Sequence, residues 1–386
     1  MNFDEIIDRR SNESVKWHFF EEDVLPLWVA DMDFKCPQAV MDALHERVDH
    51  GIFGYGLPPK DLPEIVVERM ERLYNWKIQE GAVGFVPGCV TGFNLVIRAI
   101  CQPGDSVIIQ TPVYPPFLTA PEAAGAKRID NQLIQNTDGS YEVDFDRFEA
   151  QIVENQVKLF ILCNPHNPVG RVFRRAELQR MAEICLAHDV VVCSDDIHCD
   201  LIFSGHHHIP MASLSHEIAA KTITLMAPSK TYNIAGLHAS VAIIEDPELA
   251  RKFKLARHGL VGNPGLLGLT AARAAYLHGD DWLKAMMNYL EANRDWLYDV
   301  IKDQFPGIKM AKPEGTFLAW LDCTNLGIKP SPYTFFLEKA RVGLNDGSAF
   351  GLHENDFVRL NFASPRSILN EAIHRMRNAL ISEGYI

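Results

Sequence analysis

A series of short, predominantly apolar runs, several followed at once by polar residues, constrains this chain more than any other feature. The runs are Ser106-Val107-Ile108-Ile109-Gln110, Leu159-Phe160-Ile161-Leu162-Cys163, Val190-Val191-Val192-Cys193, Thr222-Ile223-Thr224-Leu225-Met226 and Ser240-Val241-Ala242-Ile243-Ile244. A strand with one wet face alternates polar and apolar residues, whereas a strand apolar on both faces belongs in a sheet covered on both sides. The segments between the runs read as helices. Arg175 to His188, for instance, sets Leu178, Met181, Ala182 and Cys185 on one stripe. This alternation, from about Gly81 to Asp246, predicts an α/β architecture: a mostly parallel central sheet flanked by crossover helices. Asp281 to Gln304 reads as one long helix carrying Trp282, Met286, Tyr289, Leu290 and Trp296. Strands near Thr316 to Leu321 and Phe357 to Phe362, then a final amphipathic helix, complete a smaller α+β part. A chain of 386 residues exceeds what one core fills. The expected division is a large domain over 46–282 and a small one from 1–45 together with 283–386.

In open α/β sheets, ligands bind outside the carboxyl ends of the strands. After Gln110 comes Thr111-Pro112-Val113-Tyr114, and after Cys163 comes Asn164-Pro165-His166-Asn167. Cys193 leads into Ser194-Asp195-Asp196-Ile197-His198, and Met226 into Ala227-Pro228-Ser229-Lys230. One aromatic, one amide, one carboxylate and one amine thus converge on a single crevice. A lysine at the end of a buried strand loses water, which pushes its amine from the usual value of about 10.4 toward the neutral, nucleophilic form. Neutral lysines form imines with carbonyl compounds, pyridoxal phosphate among them. The other three groups are what a pyridoxal ring requires. Asp195 keeps the ring nitrogen protonated, Asn167 donates to the phenolic oxygen, and Tyr114 stacks and transfers protons. Singly, each has a plainer reading: Tyr114 as a core aromatic, Asn167 as a turn residue before proline, Asp195 as a helix cap. Their joint occurrence at successive strand ends is what favours a site. Gly88-Cys89-Val90-Thr91 precedes a helix with Val90, Phe93, Ile97 and Ile100 on its apolar face, and its free N–H groups suit a phosphate. Ser229 offers a hydroxyl for the same group.

Bulk properties exclude several alternatives. The net charge is −13 with no strongly basic stretch, which argues against nucleic acid or an anionic membrane as main partner. No apolar run approaches the roughly 18 residues that span a bilayer, and Met1 to Glu22 lacks the apolar core of a signal peptide. The eight cysteines form no CxxC pair, and Cys163, Cys185 and Cys193 sit in apolar runs. A soluble, reduced, cytoplasmic protein is expected. His206-His207-His208 invites a metal reading, but three adjacent side chains cannot face one ion from regular structure, so a surface turn and no metal are expected.

Read together, Gly88-Cys89-Val90, Tyr114, Asn167-Pro168-Val169-Gly170, Asp195, Ser229-Lys230 and Arg359 resemble the fold-type I pyridoxal-phosphate enzymes, the aspartate aminotransferase superfamily. More narrowly, the chain is similar to the MalY/PatB family of cystathionine β-lyases. The motifs run nearly end to end: Trp28-Val29-Ala30-Asp31-Met32-Asp33-Phe34, Phe53-Gly54-Tyr55, Ser194-Asp195-Asp196-Ile197-His198, His208-Ile209-Pro210, Pro228-Ser229-Lys230-Thr231-Tyr232-Asn233 and Val358-Arg359-Leu360-Asn361-Phe362. The resemblance implies a lyase that eliminates a thiol from cystathionine or another S-substituted cysteine, leaving pyruvate and ammonia. It implies Lys230, Tyr114 and Asp195 in catalysis, and cofactor contacts from Cys89, Val90, Tyr114, Asn167, Asp195, His198, Ser229 and Lys230. It also implies that Arg359, with Asn167 and the backbone near Ala30, clamps the substrate α-carboxylate. Tyr55 would reach the phosphate of a neighbouring subunit, hence a homodimer with shared sites. The rival readings are an aminotransferase, which shares the early steps, and a non-catalytic regulatory protein that keeps the fold. Three departures from the family pattern bear on substrate preference: Asp196 where Glu is common, His238 where Gln is frequent, and Cys89 where a small or aliphatic residue is usual.

Overall fold

In the computed structural model, which describes residues 1–352 and 356–386, the apolar runs form the centre of a seven-stranded sheet. In chain order its strands are β1 (Val83–Val86), β2 (Ser106–Thr111), β3 (Lys127–Gln132), β4 (Leu159–Cys163), β5 (Val191–Asp195), β6 (Thr222–Met226) and β7 (Ser240–Ile244). They lie in the order β1-β7-β6-β5-β4-β2-β3. All residues of β2, β4, β5, β6 and β7 are buried, as a sheet covered on both faces demands. Alternate residues serve the two faces. Ile109, Ile161, Cys193 and Leu225 pack with Phe93 and Ile97 of the helix Cys89–Ile100. Ile108, Phe160, Leu162 and Val192 pack with Leu178, Met181 and Cys185 of the helix Arg175–Ala187.

β7 runs antiparallel to both its neighbours, β1 and β6, while the remaining pairings are parallel. Composition cannot reveal this, because a strand buried on both faces is apolar whichever way it runs. The consequence reaches the site: β7 begins at the sheet edge where the other strands end. Gly92 lets the helix Cys89–Ile100 lie close on β6, since a Cβ there would come within 2.8 Å of the Leu225 side chain. On that helix the expected apolar face is shifted. Val90 is 38% exposed, and Cys89 takes the buried place.

The smaller sheet joins β8 (Leu318–Asp322), β9 (Asn345–Asp346) and β10 (Phe357–Asn361) in the antiparallel order β8-β10-β9. β8 starts later than the expected Thr316, whose φ of 68° no β-branched residue holds within a strand. The helices Asp280–Gln304 and Arg366–Ser382 contribute to the core on this side, with Met286, Leu290, Leu297, Leu369 and Met376 fully or nearly buried. The N-terminal segment is tied into it through a parallel pairing of Leu25–Pro26 with Val342–Gly343.

Residues 28–34 then form a strap across the strand ends. Asn361 Nδ2 donates to the Val29 and Asp31 carbonyls at 2.7 Å each, and Asn233 Nδ2 donates to Met32 and Phe34 at 3.0 and 2.8 Å. The strap is anchored below by a buried ion cluster. The fully buried Lys16 ammonium lies 2.7 Å from Asp33, which also accepts from Arg9, Trp17 and Ser364. With both partners satisfied, this cluster avoids the penalty of an isolated buried charge.

Candidate active site

Where β1, β2, β4, β5 and β6 end and β7 begins, a cavity of about 510 Å³ opens. Lys230, Asp195, Tyr114, Asn167, Arg359, Ala30, Cys89, Val90, His198 and Ser229 all line it. Of the site residues expected from the sequence, Tyr55 lies elsewhere and is fully exposed.

Lys230 is lifted off the end of β6 by the helical turn Pro228–Thr231, which proline opens. Its Nζ donates to the Ala30 carbonyl at 2.6 Å. Loss of water pulls the amine down to about 8; the Asp31 carboxylate opposes this and the Arg359 guanidinium adds to it. Asp195 is the last residue of β5, and its carboxylate accepts the Ile197 N–H at 3.3 Å. Burial lifts it to about 7, with the neighbouring Asp196 charge as the second cause. A cation placed against Asp195 reverses that shift, which is what a protonated ring nitrogen supplies.

Arg359, in the middle of β10, is 3% exposed. Nη1 donates to Asn167 Oδ1 at 2.9 Å, and Nη2 donates to the Trp28 carbonyl at 2.9 Å and to Asn345. Among the described residues no carboxylate pairs with it, and its Nε has no partner. Burial pushes its pKa down to about 10. A buried cation without a counter-ion is stable only where a ligand brings the negative charge. Asn167, with its oxygen taken by Arg359, is left its NH₂ to offer. The start of the helix Cys89–Ile100 contributes N–H groups that have no intrahelical partner.

These groups fit pyridoxal phosphate by their chemistry. His198 Nδ1 is buried without a partner, and burial draws that imidazole down to about 3, so it stays neutral. A Cβ at Gly88 would meet no protein atom within 4 Å, so the space beside the helix start belongs to the cavity. Amine, carboxylate, aromatic face, amide and helix N-terminus match the aldehyde, ring nitrogen, ring, phenolic oxygen and phosphate in turn.

Sequence reasoning missed several residues here. Asn345 reaches Arg359 because β9 pairs with β10 in the register Asn345–Arg359, and a two-residue strand leaves no periodic signal. Ser240 and Ala239 enter the cavity only because β7 is antiparallel. His208 departs from the expected surface turn: it is 6% exposed, and its Nε2 donates to Asp196 at 2.9 Å. The neighbouring Asp196 alone could have hinted at a buried partner.

One stability effect follows from the charge states. Asp195 has a folded pKa above its unfolded one, so burying it costs nothing at low pH. The cost grows as pH rises from about 3.8 to about 7 and is constant above. Asp195→Asn should therefore stabilise the cofactor-free protein at pH 8, on the order of 1–3 kcal/mol, and leave it unchanged near pH 4. Thermal melts of the cofactor-free pair at both pH values check this; equal melting at pH 8 refutes it.

Comparison with known proteins agrees in scale with this geometry. A family profile described as aminotransferase class I and II matches residues 22–376. Cystathionine β-lyase PatB of Bacillus subtilis is 41% identical over 98% of this chain and 100% of its own. The pyridoxal-phosphate-bound C–S lyase of Staphylococcus hominis superposes with a TM-score of 0.93 at 34% identity, covering 99% of both chains. Cystalysin of Treponema denticola, which contains a pyridoxal 5′-phosphate cofactor, gives a TM-score of 0.95 at 34% identity over 99% of both chains.

Proposed function

The chain belongs to the aminotransferase class I and II family, in its MalY/PatB branch, and from this we propose how its residues carry out carbon–sulfur bond cleavage. It is a pyridoxal-phosphate-dependent lyase that converts cystathionine or a related S-substituted cysteine to a thiol, pyruvate and ammonia. One observation carries the reading: a buried Arg359 that pairs with no carboxylate among the described residues shares a cavity with a lysine whose amine is drawn toward neutrality and with the buried carboxylate of Asp195.

The cofactor is held by Lys230, Asp195, Tyr114, Asn167, His198, Ser229 and the backbone of Cys89 and Val90. When bound, it supplies an aldehyde for the substrate amine and a protonated ring that accepts the electron pair left at the substrate Cα. Arg359 takes the α-carboxylate bidentately through its fork, a geometry that fixes the Cα–H bond against the ring. Asn167 and the Ala30 backbone complete the clamp. Lys230 removes the Cα proton as a base, a role that a depressed pKa serves at neutral pH. Tyr114 or Lys230 returns a proton to the departing sulfur. Asp195 holds the proton on the ring nitrogen throughout.

Purified protein incubated with pyridoxal phosphate and cystathionine or S-ethylcysteine is expected to release pyruvate and a free thiol in equal amounts. Amino-group transfer to a keto acid without thiol release would instead make it an aminotransferase.

The proposal extends to a homodimer in which Tyr55 reaches the partner's phosphate site. Ile52, Phe53, Tyr55 and Leu57 stand exposed along one short segment, a density of apolar side chains that a lone chain seldom presents to water. In this reading residues 46–282 form the cofactor-binding domain, and 1–45 with 283–386 form the smaller one. A cytoplasmic location is supported by eight free cysteines. No helix among the described residues is long and apolar enough to cross a membrane.

A further inference from the structure

Directly behind Asp195 lies a second carboxylate that the mechanism has not used. Asp196 is fully buried, yet it does not line the active-site cavity, because successive side chains at the end of β5 leave the backbone in opposite directions. It is thoroughly held. Ser194 Oγ donates to its Oδ1 at 2.5 Å, and His208 Nε2 donates to its Oδ2 at 2.9 Å. Its own N–H donates to the Leu225 carbonyl on β6 at 2.8 Å. His208 is fixed in turn, edge-on to Tyr74 with ring centroids 5.5 Å apart. Hydrogen bonds from both sides make the buried carboxylate tolerable and hold its charge in one place, while His208 Nδ1 is left without a partner.

We propose that Asp196 is a positioning residue for the reaction: fixed by Ser194 and His208, its carboxylate sets a second negative charge behind Asp195, and the two together keep a proton at the ring nitrogen of the cofactor. This rests on the cofactor reading given above. Asp196 acts through Asp195, touching neither cofactor nor substrate. Its influence is visible in the charge states, where it is the second cause, after burial, of the raised proton affinity of Asp195. The other groups facing Asp195 are Lys230, Cys89 and Tyr114 across the cavity, with Cys163 on β4 and Cys193 on its own strand. Asp196 in turn faces His208 and the thiols of Cys163, Cys193 and Cys199. Burial holds those thiols far above the ordinary thiol range, so they stay uncharged and do not compete.

The test is the pH dependence of pyridoxamine 5′-phosphate binding to the cofactor-free protein. That compound carries an amine in place of the aldehyde and forms no bond to Lys230, so the ring contact is read without catalysis. Its own titrations are common to every protein compared. In the wild type, affinity should fall on acidification as Asp195 takes up a proton. Asp196→Asn, which keeps the shape and removes the charge, should move that midpoint to lower pH by roughly one unit, the size of a close like-charge effect. Asp196→Glu, which restores the charge, should bring the midpoint back toward the wild-type value. An unmoved midpoint in Asp196→Asn overturns the proposal, since a merely structural role would lower stability and leave the titration in place. Should Asp196→Asn fail to fold, His208→Phe serves. Without its Nε2 donor the Asp196 carboxylate is no longer held in place behind Asp195, which shifts the midpoint the same way, and a midpoint that stays or rises overturns the proposal. A wild-type protein that binds no pyridoxamine 5′-phosphate at any pH fails differently, because it removes the cofactor reading itself.

Discussion

Lys230→Ala is expected to release no measurable pyruvate from any cysteine thioether, a loss of roughly 10⁴-fold or more, while the protein folds normally. Two roles vanish with one amine: the covalent anchor for the aldehyde and the base at the substrate Cα. The fold should survive because, among the described residues, the amine makes one hydrogen bond, to the Ala30 carbonyl. Burying that ammonium also opposes folding: its pKa of about 8 lies below the usual 10.5, so neutral replacement removes a cost present wherever pH lies below about 10.5. Circular dichroism and a melt near neutral pH should show an intact, equally or more stable protein. Cofactor should still bind through Asp195 and the helix start, yet dialyse away faster than from the wild type. A small primary amine added to the buffer should return a fraction of the activity by acting as the missing base. Mixing Lys230→Ala with Tyr55→Ala subunits extends the same experiment to the proposed dimer. If Tyr55 serves the partner's site, hybrids contain one site with both residues, and activity appears on mixing. Full activity in Lys230→Ala alone would refute the lyase mechanism, and hybrids that stay silent would refute the shared site.

How much of this was legible beforehand depends on the kind of information each residue carries. Lys230, Asp195, Asn167 and Tyr114 announce themselves because a polar cluster after an apolar run marks a strand's carboxyl end, and parallel strands deliver those ends to one edge. β7 carried no comparable mark. Its Ser240-Val241-Ala242-Ile243-Ile244 is as apolar as its neighbours, and its direction is set by the length and path of the preceding loop, which composition does not encode. Ala239 and Ser240 therefore join the cavity unannounced, beside His238, which the sequence marks only as a departure from the family pattern. Arg359 is a further case: alone it is one arginine in a strand, and only its resemblance to a known pattern singled it out. The structure adds the physical reason, a buried guanidinium with no carboxylate beside it among the described residues. His208 was read as a surface residue because adjacent histidines suggest a turn, but only His206 and His207 stay near the surface while His208 turns inward to Asp196.

Arg359 carries the second large effect, and it separates binding from chemistry. Arg359→Lys keeps the charge but loses the planar fork, so one of the two parallel contacts to the α-carboxylate disappears. It also leaves Asn167, Asn345 and the Trp28 carbonyl without their donor. The expected fall in kcat/KM is about 10²–10³-fold, equivalent to ~3–4 kcal/mol of transition-state binding. Most of it should appear in KM, with a smaller part in kcat, because a loosely held carboxylate lets the Cα–H bond swing away from the ring. The sharper measurement compares S-ethylcysteine with its carboxamide, which has the same leaving group and no carboxylate. The wild type should strongly prefer the acid, since the amide leaves the buried guanidinium unpaired. In Arg359→Leu that preference should collapse toward parity, because neither substrate then meets a cation at this position. A preference for the acid that persists in Arg359→Leu would place the carboxylate elsewhere in the cavity and remove Arg359 from the site.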